Sequence, residues 1–311
     1  MPTRTLEYRP RGFRAGLWIG GSLILAVVLA AILFRPEILP RGSEPITVFC
    51  AAGIRAPVEE LKTLFREELG HEITLQYNSS GGLLSTIEVQ RRGDIYIPAD
   101  VHYIARAREK GLVAESIPIA RFRLVIATKP GNPRDIRSLD DLLSPGVRFV
   151  VCNPEAGAGQ ETRRVLEAAG RWQDLEKADL VYKPTVPDAA SAVQTADTID
   201  AAFVWDSTAS QYGLEPISVP ELADAVATIE AGILSSSQKP PVALRFARFL
   251  ASPEKGSPAF KKHGYEPTPG DPWAPVPELV VFAGGVNREA VQETFARFEE
   301  REGCRINVSY D

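Results

Sequence analysis

Ile46–Gly82, ITVFCAAGIRAPVEELKTLFREELGHEITLQYNSSGG, decides the fold. Ile46 to Cys50 is nearly all apolar, as a strand buried on both faces should be. After the small-residue turn Ala51-Ala52-Gly53, a helix opens with Pro57 in its first turn and stops at Gly70. Val58, Leu61, Leu64, Phe65 and Leu69 share one face of it, with Glu59, Lys62, Arg66 and Glu67 on the other. Ile73 to Tyr77 alternates apolar and polar and runs into Asn78-Ser79-Ser80-Gly81-Gly82, after which Leu83 to Gln90 is again periodic. The pattern predicts a βαβ unit with two strand-to-helix turns at the carboxyl edge of a parallel sheet, where open α/β sheets bind ligands. The second turn offers backbone N–H groups and hydroxyls at a helix N-terminus, which suits an anion. The same residues also suit an ordinary tight turn.

Composition narrows the function. The chain has 311 residues, 44% hydrophobic and 24% charged, with net charge −5. That is ordinary for a globular protein and gives no reason to expect nucleic acid. Three His and three Cys (Cys50, Cys152, Cys304), without CxxC or HExxH, argue against a metal site or a disulfide framework. No GxSxG or Walker pattern occurs. Hydrolase and nucleotide-binding readings are therefore disfavoured, no enzyme is expected because no acid–base or nucleophile pair stands out, and no cofactor is expected.

Ala15 to Phe34 is an uncharged run of 20 residues preceded by Arg4, Arg9, Arg11 and Arg14. That length spans a bilayer core of about 30 Å, and the positive-inside rule puts residues 1–14 in the cytoplasm. An uncleaved anchor at 15–34 is preferred to a cleaved signal peptide, because no clear cleavage site precedes Arg35. Residues 35–44 then form a tether.

Further along, Arg148 to Cys152 reads as a buried strand, Asn153 to Gly159 as a small-residue loop and Gln160 to Ala169 as a helix, repeating the first architecture. Two helix N-termini facing each other across a cleft would suit an anion better than either alone. Arg121 to Thr128 reads as a strand, Asp188 to Ala196 as a helix and Ala201 to Trp205 as a buried strand. Glu266 to Pro277 is Pro-dense, a spacer and domain boundary.

ITVFCAAG, YNSSGG and GDIYIPAD, followed by NPEAGAGQETRRVLEAAGRW and AAFVWDSTAS, resemble the periplasmic molybdate-binding proteins of ABC importers over roughly Pro45 to Tyr265. The resemblance implies an α/β, two-lobed periplasmic-binding-protein fold with two chain crossovers at the hinge. The solute-binding domain would span 45–266, with lobe 1 at about 45–122 and 210–266 and lobe 2 at about 123–209. It implies a small oxyanion as ligand, and an ABC permease with its ATPase as partners, on the periplasmic or extracellular side. Carried over by position, the ligand residues are Gly53, Ser80, Ala158, Pro187 (or Val186) and Trp205, with Gly81 and Gly159 beside them. Three positions depart from the family pattern: its first-turn Ser is Gly53, a backbone donor falls at Pro187, which has no N–H, and its Tyr is Trp205. A membrane-tethered sensor of the same fold, or a binder of another oxyanion or ferric ion, is the alternative.

The last stretch, LVVFAGGVNREAVQETFARFEEREGCRINVSYD, repeats the opening. At an offset of 233, matches include Val48/Val281, Phe49/Phe282, Arg55/Arg288, Phe65/Phe298, Gly70/Gly303 and Tyr77/Tyr310. After a Pro-rich linker at 267–277, residues 278–311 therefore read as the start of a second domain of the same kind. Truncation is preferred to docking elsewhere. A strand at Val280 to Phe282, a helix at Arg288 to Arg301 and few contacts with the first domain are expected.

Overall fold

The computed structural model describes residues 45–311. The segment 1–14 expected in the cytoplasm, the expected anchor at 15–34 and the tether at 35–44 thus lie outside the described residues. Among the described residues, no helix is long and apolar enough to cross a membrane.

The opening unit forms as its periodicity predicts. Strand β1 (Ile46–Ala51) leads through a 3-10 turn (Ala52–Ile54) into α1 (Arg55–Leu69), and β2 (Ile73–Asn78) returns parallel to β1. Pro57, Val58, Leu61 and Phe65 are the buried face of α1, and Gly70 ends it at φ 70°, a left-handed conformation that favours glycine. The ring of Phe65 meets those of Phe246 and Phe249 edge-on, at 5.0 and 5.3 Å. Burying such a ring stabilises the lobe by about 1.5–3 kcal/mol.

Lobe 1 continues with α2 (Ser80–Gln90), β3 (Ile95–Ile97), α3 (Val101–Glu109) and β4 (Val113–Thr128). Lobe 2 holds α4 (Leu139–Leu142), β5 (Phe149–Cys152), α5 (Gly157–Ala168), α6 (Trp172–Lys177), β6 (Leu180–Lys183), α7 (Val186–Thr195), β7 (Ala201–Trp205), α8 (Asp206–Gln211) and β8 (Glu215–Ile217). Strand β9 (Val226–Leu234) returns to lobe 1, followed by α9 (Pro240–Ala251), α10 (Gly256–Lys262) and β10 (Glu266–Pro267). The strand order is β2-β1-β3-β9-β4-β7-β5-β6, with β8 and β10 pairing β4 as well.

The hinge is β4 itself. It pairs with β9 from Val113 to Arg123, then with β7 from Leu124 to Thr128, so one strand belongs to both sheets. Its first half escaped the sequence reading because Pro118 interrupts the apolar pattern. The structure absorbs that proline in a register shift between Pro118 and Ala120.

Two boundaries differ from expectation. The return to lobe 1 was placed near residue 210, but β8 still pairs with Ile126–Thr128 in the lobe 2 sheet, and the second crossing is β9. Gly213, at φ 63°, turns the chain back along β4 after α8. The Pro-rich stretch at 267–277 is not a free spacer. Glu266 and Pro267 pair with Arg121 and Ala120, the Trp273 N–H donates to Glu254 Oε2 at 2.8 Å, and the Trp273 ring stands edge-on to Phe249. It is a strap laid on lobe 1.

The tail folds as β11 (Glu278–Ala283), a 3-10 turn (Gly285–Asn287), α11 (Arg288–Glu302) and β12 (Arg305–Tyr310), with the two strands parallel. Leu279 pairs with Ile306, which is the Ile46–Ile73 register shifted by 233. Its contact with lobe 1 is at one end. Glu302 and Cys304 are buried, and Arg248 Nη1 donates to the Glu302 carbonyl at 3.4 Å.

Candidate functional site

The turns that follow β1, β2, β5, β6 and β7 converge between the lobes. Ala52, Gly53, Asn78, Ser79, Ser80 and Ala99 of lobe 1, with Ala156, Gly157, Thr185, Val186 and Trp205 of lobe 2, surround a cavity of about 10 Å³. None of these residues carries a charged side chain. A wider pocket of about 600 Å³ adjoins it, sharing Ala52, Gly53, Asn78 and Thr185 and adding Arg55, Glu59, Pro187, Asp188 and Thr208.

Three helices start at the cavity, and each leaves N–H groups of its first turn without an acceptor inside the helix. In α2 the Ser79 hydroxyl caps the Gly82 N–H at 3.2 Å, and Ser80 is the first helical residue. Ser80 is 1% exposed, and its Oγ accepts the Ala99 N–H at 3.0 Å. That bond fixes the hydroxyl while leaving its own proton to donate. In α5, Gly157, Ala158 and Gly159 are the first three residues. In α7, Thr185 caps through its hydroxyl, with Val186 and Pro187 following.

The lobes touch directly beside the cavity. The Gly81 N–H donates to the Glu155 carbonyl at 2.8 Å, and Tyr103 Oη donates to the Pro154 carbonyl at 3.1 Å. A Cβ at Gly81 would meet Glu155 O at 3.0 Å, and one at Gly157 would meet the Ala99 Cβ at 3.1 Å. Small residues are what let the lobes close this far.

Of the residues expected from the sequence, Gly53, Ser80 and Trp205 line the cavity together. At the Val186/Pro187 position the cavity meets Val186, which keeps its N–H, while Pro187 faces the wider pocket. Ala158 is fully buried, and of these first-turn residues Gly157 rather than Ala158 lines the cavity. At Gly159 a Cβ would lie 2.2 Å from the Asn153 carbonyl oxygen and 2.3 Å from that of Cys152, so glycine there is demanded by the close approach of α5 to the end of β5. Thr208 was missed. Its hydroxyl and the Trp205 indole N–H are both buried without a hydrogen-bond partner.

Cys50 and Cys152 stand at strand ends close by, fully buried and unpaired. Burial pushes the Cys152 thiol up to about 12 and the Cys50 thiol higher, so both are packing residues rather than nucleophiles. Among the described residues no His, Cys, Asp and Glu gather as metal ligands do.

Residues 46–266 match the sequence profile of bacterial extracellular solute-binding proteins. The chain belongs to that family. A molybdate-binding protein ModA of Mycobacterium tuberculosis is 27% identical over 249 residues, covering 76% of this chain and 94% of that one. A putative binding protein of Haemophilus influenzae is 24% identical over 223 residues, covering 71% and 90%. Among solved structures, the periplasmic molybdate-binding protein of Azotobacter vinelandii superimposes with a TM-score of 0.61 at 21% identity, covering 71% of this chain and 98% of that one. AfuA of Actinobacillus pleuropneumoniae, with fructose-6-phosphate bound, gives 0.64 at 14% identity, covering 75% and 88%. At these identities the structural likeness establishes the two-lobed fold. The neutral cavity lies in the cleft between the two lobes of that fold.

Proposed function

We propose that the protein is the solute-binding component of an ABC importer, and that its solute is an oxyanion of the molybdate or tungstate type. The observation that carries this reading is the cavity itself: three helix N-termini and an orphaned indole N–H meet there, with no charged side chain in the lining. Such a set neutralises an anion with partial charges and hydrogen bonds. Each bond to a charged oxygen contributes about 1.5–3 kcal/mol. The relatives named for molybdate support the choice of ligand.

Ser80 Oγ and the Ser80 N–H, the first of α2, hold the anion from lobe 1, the Gly81 and Gly82 N–H groups being engaged by the Glu155 carbonyl and the Ser79 hydroxyl. From lobe 2, the Gly157, Ala158 and Val186 N–H groups and Trp205 Nε1 hold it. About 10 Å³ is room for one water, so a tetrahedral oxyanion enters only with the lobes apart, and the chain bends where β4 and β9 cross. The permease reads the closed form. Residues 15–34 tether the protein on the extracytoplasmic face of the membrane.

Trp205 makes the reading testable by fluorescence. Molybdate added to the protein is expected to change tryptophan emission saturably, and Trp205→Phe to abolish most of that change. No saturable change on addition of molybdate or tungstate would overturn the proposal.

A further inference from the structure

Gly53 occupies a position that does not require glycine. Its φ lies outside the left-handed region, and a Cβ there would meet nothing closer than 3.8 Å. The tail carries Val286 at the equivalent place, in the same kind of 3-10 turn. What the glycine leaves is a gap bounded by the Val186 Cβ at 3.8 Å and by two side chains that carry hydrogen-bond donors. Thr208 Oγ1 lies 3.9 Å from where the Cβ would be, and Trp205 Cδ1 also 3.9 Å.

Both side chains are 1% exposed, and neither Thr208 Oγ1 nor Trp205 Nε1 has a hydrogen-bond partner. A buried threonine on a helix commonly satisfies its hydroxyl on the carbonyl four residues back. Thr208 is the third residue of α8, so the residue four before it lies in β7 and that helical route is closed. Two buried donors left unpartnered on one side of a cleft cost stability unless something bound there takes them up. The indole N–H can only donate, so the partner they share is an acceptor, which an anion's oxygen is and a metal cation is not.

We propose that Thr208 is a ligand-binding residue. Its hydroxyl supplies from lobe 2 the donor that a serine at position 53 would supply from lobe 1, beside the Trp205 indole N–H. This rests on the oxyanion reading above. It makes Gly53 and Thr208 a compensating pair, with the hydroxyl moved across the cleft rather than lost.

The test is calorimetric titration of the full-length protein with molybdate and with tungstate, for wild type, Thr208→Val, Thr208→Ser and the double variant Thr208→Val/Gly53→Ser. Thr208→Val is expected to weaken binding about tenfold or more, the loss typical of a hydrogen bond to a charged group. Thr208→Ser should bind at least fivefold tighter than Thr208→Val, and Gly53→Ser should recover at least fivefold in the Val background. If the Val variant gives no cooperative melt, Thr208→Ala, which only deletes atoms, takes its place. Wild-type affinity in Thr208→Val would overturn the proposal. So would equal losses in Val and Ser, or no rescue by Gly53→Ser, because each would reduce Thr208 to packing. A wild-type protein that binds neither anion would overturn the oxyanion reading as well.

Discussion

The guanidinium of Arg288 stands 4.9 Å from the ring centre of Tyr310. In the opening unit, Arg55 stands 5.0 Å from the ring centre of Tyr77. These are the same pair at an offset of 233, on helices α11 and α1 that also correspond end to end, at Arg288–Glu302 and Arg55–Leu69. The tail is thus a second βαβ unit built on the first one's plan. Its surroundings differ. Phe49 and Phe65 are 1% and 0% exposed, while their counterparts Phe282 and Phe298 are 82% and 38% exposed.

That contrast sets the first prediction. The tail meets lobe 1 around Glu302 and Cys304, and a cavity of about 540 Å³ lined by Arg248, Trp273, Pro277 and Leu279 lies beside the strap and the start of β11. Deleting Glu278–Asp311 should therefore cost less than about 1 kcal/mol, a fall of no more than about 2–4 °C in melting temperature for a domain of this size. A larger fall in a thermal melt would make the tail an integral part of the lobe.

Gly159 gives a second prediction, because its reason for being glycine is steric. A Cβ would enter the carbonyl oxygens of Asn153 and Cys152. Gly159→Ala is expected to destabilise the fold by about 3 kcal/mol, read from denaturant melts. A wild-type melt would mean that α5 shifts freely off β5.

Ser80 has two duties that one substitution separates. Ser80→Ala removes the acceptor of the buried Ala99 N–H, which should cost about 1–3 kcal/mol of stability. It also removes a donor to the anion and should weaken binding by a further roughly 1–2 kcal/mol. Stability loss with unchanged affinity in calorimetry would leave Ser80 as a strut only.

Asp206 sits at the hinge and accepts the Arg123 N–H at 3.2 Å and the Ser207 N–H at 2.7 Å. Burial raises its pKa above the usual carboxylate value, against the lowering effect of those bonds. The folded state thus holds the proton more tightly than the unfolded chain. The stability this contributes is full below the unfolded value of about 3.9, and it is lost as pH rises through the folded value. Asp206→Asn keeps the shape and removes the charge, so the variant should gain on wild type as pH rises from the unfolded value through the raised folded one. A stability difference in denaturant melts that stays flat, or runs the other way, would contradict the assignment.

The sequence was most informative where periodicity and punctuation agree. Both βαβ units, with Gly70 and Gly303 as their stops, could be placed within a residue or two for that reason. It said less about β4, where Pro118 hides a continuous strand, and nothing of β8 and β10, short edge strands whose identity comes from pairing with β4. Within the site, Gly53, Ser80 and Trp205 were legible because each stands at or just past the carboxyl end of a strand, at a position matched by the family resemblance. Thr208 was not, since an unpartnered hydroxyl is a property of what packs around it, and no local pattern encodes that.

The most direct test of the central claim is titration calorimetry of the purified protein with molybdate, and separately with phosphate and ferric ion. The account predicts saturable binding of molybdate at one site per chain, displaced by tungstate. Absence of molybdate binding alongside saturable binding of ferric ion would contradict it, since neutral donors aimed at one cavity cannot ligate a cation.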